Sequence, residues 1–165
     1  MITSSAMLAV AIGGVWFYSV RKTNELFDMA VNAHINCAID GNYPRQTQKT
    51  EMLEGLGVQF APMLQPVLDA AGSDYAAVAA HRCDVAGRAW IHILLRKGST
   101  LISVLLTMRG SEEGFPRTGR SLHQGSRDGY SVAAFESGAW LVYVISALPG
   151  RQNADLARNL VGRIP

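Results

Sequence analysis

The first twenty residues, Met1 to Val20, carry no charged side chain, and Arg21-Lys22 closes the run. A helix rises about 1.5 Å per residue, so this stretch reaches roughly 30 Å, the thickness of a bilayer's hydrocarbon core. Trp16, Phe17 and Tyr18 gather at the charged end, where an interfacial belt would place aromatics. A secretory signal would set a basic residue before the apolar run and a small-x-small cleavage site after it, and neither pattern is found. A core helix would show a polar face. The run therefore predicts a transmembrane anchor over residues 1–22, with residues 23–165 forming one folded domain.

Beyond the anchor, Leu26, Phe27, Ala30, Val31 and His34 recur at helical spacing and predict a helix from Thr23 to about Ala38. Asp40-Gly41-Asn42-Tyr43-Pro44 is rich in turn formers and ends it. Short helices are expected at Glu51–Leu56 and Phe60–Ala70. From Tyr75 the period changes to that of strands, in five runs: Tyr75–Cys83, Arg88–Arg96, Thr100–Arg109, Tyr130–Glu136 and Ala139–Ser146. The links Asp84-Val85-Ala86-Gly87, Lys97-Gly98-Ser99 and Ser137-Gly138 are tight. Gly110 to Gly129 reads as a long, exposed polar loop that leaves Glu112-Glu113 and His123 in solvent. A closing helix, Asn153–Arg163, presents Leu156, Leu160 and Ile164, and Asn153 is a candidate cap. The prediction is an α+β domain, a five-stranded antiparallel meander covered by helices, with Trp90, Phe135, Trp140 and Tyr143 in its core.

Composition narrows the classes. Charged residues are 17%, below the roughly 25% of soluble domains, which agrees with an anchor. A net charge of +2, with no basic run among aromatics, argues against a nucleic-acid partner. Neither cysteine lies in a CxxC, and no GxSxG, HExxH, Walker or GxGxxG pattern occurs, so the chain reads as no enzyme.

The chemistry concentrates in His34-x-x-Cys37 and His81-x-Cys83. Residues three apart on a helix and two apart on a strand share a face, so each pair aims an imidazole and a thiol one way. Packed across each other, helix and strand would bring His34, Cys37, His81 and Cys83 into a Cys2His2 set suited to Zn²⁺ or Cu⁺. If the Asp84–Gly87 turn joins Cys83 to Arg88, His81 faces Trp90. His92 then lies diagonal to His81, as a supporting residue or substitute ligand. Two alternatives stand beside the metal. A Cys37–Cys83 disulfide would staple helix to sheet, or the two thiols are unrelated. A Cys–His nucleophile lacks an identifiable orienting group.

The string Ala33-His34-Ile35-Asn36-Cys37-Ala38-Ile39, together with Ala80-His81-Arg82-Cys83 and Gly87-Arg88-x-x-x-His92, resembles the extracytoplasmic region of transmembrane anti-sigma factors. Ala133-Ala134-Phe135-Glu136 and Leu141–Pro149 look like its last hairpin, and the likeness spans roughly Asp28 to Leu160. It implies a single-pass inner-membrane protein in contact with the lipid bilayer, its bulk periplasmic, sensing a signal on behalf of a sigma factor. The positive-inside rule, applied to Arg21-Lys22 alone, would place the bulk in the cytoplasm; the likeness places it outside. No HxxxCxxC stands ahead of the apolar run, although such proteins use that device to hold the sigma factor. Holding one would require sequence upstream; otherwise the domain serves as an accessory subunit of a membrane complex. The expected function is a membrane-anchored sensory domain whose His/Cys cluster binds a metal or responds to redox state.

Overall fold

The structure is a computed structural model and describes residues 20–111, 113–116 and 121–164. Helix α1 (residues 20–34) runs into a π turn, Ile35–Ile39. Helix α2 (Lys49–Leu56), a 3-10 turn (Ala61–Met63) and α3 (Leu64–Ala71) precede strands β1 (Ala76–Val85), β2 (Arg88–Lys97) and β3 (Thr100–Met108). Strands β4 (His123–Arg127), β5 (Tyr130–Ser137) and β6 (Trp140–Ser146) lead to α4 (Gly150–Leu160).

Among the described residues the sheet has six strands rather than the expected five, and it is not a plain meander. Its order is β1-β2-β3-β6-β5-β4, antiparallel throughout, so β3 pairs with the last strand and the second half of the sheet is folded back. The added strand, β4, lies within the segment read as a loop. It escaped the sequence because His-Gln-Gly-Ser-Arg carries no apolar alternation. Its inward position is Gly125, where a side chain would collide with the Phe27 ring of α1 at 2.7 Å. Arg127 ties the strand to α1 through Asp28 at 2.9 Å. His123 is not free in solvent but stacks on Phe115, with centroids 4.4 Å apart.

Helices cover both faces. Residues Trp90–Leu95, Ile102–Thr107 and Leu141–Ser146 are buried without interruption, as strands sandwiched between two layers must be. On one face Ile91, Ile93, Val104, Phe135 and Val144 meet α2, α3 and α4 through Leu56, Leu64, Val67, Leu156 and Leu160. On the other, Trp90, Leu105, Tyr143 and Ile145 meet Leu26, Phe27, Ala30 and Val31 of α1. Of the four aromatics expected in the core, Trp90, Phe135 and Tyr143 are buried, and Trp140 is half-buried.

Local chemistry sets the element ends. The Glu51 carboxylate accepts from the Thr47 and Gln48 backbone N–H groups and opens α2. Pro66 falls in the first turn of α3, where it interrupts no helical bond. Helix α4 begins at Gly150, three residues earlier than expected, and Asn153 does not cap it. Its buried amide joins the Ser131 carbonyl and the Ser146 hydroxyl, each at 2.7 Å, and so fixes α4 to β5 and β6.

The expectation of a single-pass membrane protein with a periplasmic bulk is corrected. Among the described residues no helix is long and apolar enough to cross a membrane. Most of the proposed anchor, residues 1–19, lies outside the described residues. From Leu26 onward, α1 spends its apolar face on the sheet.

Candidate metal centre

The β1–β2 turn decides which side chains meet. Ala86 and Gly87 both adopt positive φ, +56° and +74°, and Val85 pairs with Arg88, which makes a two-residue hairpin of the primed type. The sequence predicts a four-residue link. Shortening it shifts the register by two, so Cys83 faces Trp90 and His81 directly faces His92. The two imidazoles meet edge to face, with centroids 4.9 Å apart.

The third contributor is the π turn. Asp40 N–H reaches the Ile35 carbonyl at 2.9 Å, the wide closure that defines this geometry and that recurs at functional sites. Asn42 donates to the Asn36 carbonyl at 2.8 Å, satisfying an acceptor the ending helix leaves open. Cys37 and Ala38 point inward from this turn onto the sheet. Cys37 thereby reaches Cys83, with 2.7 Å between the sulfurs, and both cysteines are unbridged.

The result is a cluster of Cys37, His81, Cys83 and His92 in which one donor atom from each residue lies within 4.8 Å of the others. Cys37, His81 and His92 are buried and Cys83 is half-buried. His34, expected as a ligand, is outside this group, while His92, expected behind it, is inside. His34 occupies the supporting position instead. Its Nδ1 lies 2.7 Å from Ser103 Oγ on β3, and Ser103 Oγ lies 2.8 Å from His92 Nε2. Ser103 belongs to no motif in the sequence. The available signal was a lone hydroxyl inside the apolar run Leu101-Ile102-Ser103-Val104-Leu105.

This donor set fits a metal ion. Tetrahedral Zn²⁺ with two sulfurs at about 2.3 Å and two nitrogens at about 2.0–2.1 Å needs donors about 3.3–3.8 Å apart. The cluster brackets that spacing, and the two sulfurs would separate by about 1 Å. Both ring nitrogens of His81 and Nδ1 of His92 are buried without a hydrogen-bond partner among the described residues. An unpartnered buried polar atom costs about 1–3 kcal/mol, which ligation would recover.

The electrostatics favour a thiolate at Cys37. The hydrogen bond shared by the two sulfurs drives the Cys37 thiol well below its ordinary range, against burial, and pushes Cys83 up. His81 and His92 lie near enough to Cys37 to favour its thiolate, although neither makes a hydrogen bond of full geometry. Burial, with the repulsion two protonated imidazoles would meet, lowers His34 to about 4, and burial also lowers His92. Both imidazoles are neutral at pH 7.

A second polar group closes the far end of the α1 face. Arg88 grips Glu113 with both guanidinium arms, one at 2.7 Å, and also reaches Thr107 Oγ1 at 2.9 Å. Glu113, expected in solvent, is thereby held down to about 2. It lies apart from the cluster and accepts from the Gly110 N–H, while Arg88 covers the Trp90 ring and Phe115 meets Tyr143; Glu112 lies outside the described residues.

No protein-family model matches the chain, and no curated protein sequence matches it, so the site's own geometry carries the functional argument.

Proposed function

We propose that this domain is a metal-responsive regulatory module holding one ion at Cys37, His81, Cys83 and His92. The observation that carries the reading is the convergence of the four donors within 4.8 Å between the π turn and the β1–β2 hairpin. Two thiolates and two neutral imidazoles bring a charge of −2, so a divalent ion leaves the buried centre neutral. A monovalent Cu⁺ would leave one negative charge or keep one thiol protonated. Zn²⁺ is therefore the first candidate and Cu⁺ its competitor.

The coordination supports a binding role over a catalytic one. Four protein ligands close a tetrahedral site and leave no position for a substrate, unlike the open sites of metalloenzymes. Three ligands share one preformed hairpin and the fourth comes from the end of α1. Ion binding therefore ties α1 to the sheet, and ion loss releases that tie, which makes occupancy legible as a change at α1. The residues that converge are those in which the chain resembles anti-sigma sensor regions, and this likeness supports a sensory role, with a sigma factor or another protein as the recipient.

The test is metal titration of reduced, metal-free protein, with the bound metal counted by mass spectrometry. One Zn²⁺ per chain, lost in Cys37→Ser, is expected; no bound ion, or full binding by Cys37→Ser, overturns the reading.

The 2.7 Å approach of the sulfurs supports a second reading, a module stapled by a Cys37–Cys83 disulfide. Both thiols would give up their protons and two electrons to an oxidant such as hydrogen peroxide, leaving water. Closing this 46-residue separation would stabilise the fold by about 4 kcal/mol on the chain-entropy account. Protein isolated without reductant and resistant to thiol alkylation would favour the staple. Thiols that a bound ion protects, and that a chelator exposes, would favour the metal.

A further inference from the structure

We infer that Ser103 and His34 are positioning residues for the metal centre, holding His92 in the tautomer that offers Nδ1 to the ion. The inference rests on the metal reading above and adds the atom by which His92 binds.

His34, Ser103 and His92 are each 0% exposed, so water does not compete for their hydrogen bonds. His92 Nε2 and His34 Nδ1 both lie against the same serine oxygen, at 2.8 and 2.7 Å. That oxygen carries one proton. It donates to one imidazole and accepts from the other, so the chain has two arrangements. In the first, His92 Nε2–H donates to Ser103, and Ser103 O–H donates to His34 Nδ1. His92 Nδ1 then carries a lone pair, and His34 carries its proton on Nε2. In the second arrangement each bond runs the opposite way, and His92 Nδ1 bears a proton that bars ligation.

The nitrogens outside this chain are His92 Nδ1 and His34 Nε2, and neither has a partner among the described residues. His92 Nδ1 is the atom left for the cluster. The His34 and Tyr130 rings meet at 75° with centroids 4.7 Å apart, and His34 Nε2 is offered no hydrogen-bond donor for a bare lone pair among the described residues. An ion at the cluster selects the first arrangement, and the serine with its distal histidine holds it there. Outer partners of this kind set ring orientation and ligand basicity in metal sites generally. The same accounting explains why His34, one turn from Cys37, supports the centre without ligating it.

The test uses the full chain, reduced and loaded with Zn²⁺. Nitrogen-15 spectra of the imidazoles should show His92 metallated at Nδ1 with its proton on Nε2, and His34 unmetallated with its proton on Nε2. Ser103→Ala should weaken Zn²⁺ binding about 10–100-fold, and Ser103→Thr, which keeps the hydroxyl, should recover most of that loss. Metallation of His92 through Nε2, or equal affinity in Ser103→Ala and the parent, overturns the inference while leaving the centre intact. A parent protein without a tight Zn²⁺ site overturns the metal reading itself. The spectra are read on the parent protein, so the inference stays testable if either variant fails to fold.

Discussion

Replacing Ala86 with asparagine should stabilise the domain, because the hairpin that builds the cluster has an ill-suited residue at its tip. Ala86 sits at φ +56° in a two-residue turn, with Gly87 beside it at +74°. A left-handed backbone costs an alanine about 1–2 kcal/mol, whereas asparagine enters that region readily and Asn-Gly is a favoured pair for this turn. Ala86 is exposed, so no packing is lost. Ala86→Asn should therefore gain about 1 kcal/mol, which in a domain of this size raises Tm by about 2–4 °C. Gly87→Ala should lose a similar amount through backbone strain alone, since nothing lies within 4 Å of the added Cβ. Urea denaturation of reduced, metal-free protein measures both. If Ala86→Asn is neutral or worse and Gly87→Ala is neutral, the two-residue turn is refuted. The longer link would then put His81 opposite Trp90 and take His92 from its place across from His81.

Gly55 of α2 lies against β1, where an added Cβ would sit on the Ala80 carbonyl oxygen and 2.6 Å from Gln46 Nε2. Gln46 bonds both the N–H and the carbonyl of Ala80, at 2.7 and 3.2 Å, and shields that edge of the sheet beside His81. Gly55→Ala should cost about 2 kcal/mol in denaturation despite alanine's better helix propensity, because overpacking and lost hydrogen bonds outweigh it; unchanged stability would contradict this close approach. The Arg88–Glu113 pair gives a pH signature. Its hydrogen bonds hold Glu113 below its unfolded value, so its stabilisation is present above about pH 4.5 and is lost as pH falls toward 2. Glu113 is 35% exposed, and solvent screening limits the effect to about 1 kcal/mol. The stability gap between the parent and Glu113→Gln should narrow from about pH 5 downward and close near pH 2, and a gap that stays constant would rule the pair out as its source.

The α+β class and the two His/Cys pairs were legible in the sequence, because residue spacing alone places His34 with Cys37 and His81 with Cys83. The roles of the histidines were not. They turn on a two-residue difference in register, and Ala-Gly is a weak turn signal whose geometry only the sheet enforces. Strand β4 was hidden because its contacts with α1 are made by a missing side chain at Gly125 and an ion pair at Arg127, not by apolar alternation. The sequence leaves Glu113 and His123 in solvent because their partners, Arg88 and Phe115, are remote in sequence or embedded in the same polar stretch. In sequence Ser103 is an ordinary strand residue; only the fold brings two imidazoles to its oxygen.

The most direct test of the centre is X-ray absorption at the zinc edge on reduced, Zn²⁺-loaded protein. Two sulfurs at about 2.3 Å and two imidazole nitrogens at about 2.0–2.1 Å are expected, with the imidazole signal halved in His92→Ala and unchanged in count in His34→Gln. A shell of oxygen and nitrogen alone, or one that loses a nitrogen ligand in His34→Gln and keeps both in His92→Ala, would contradict the site described.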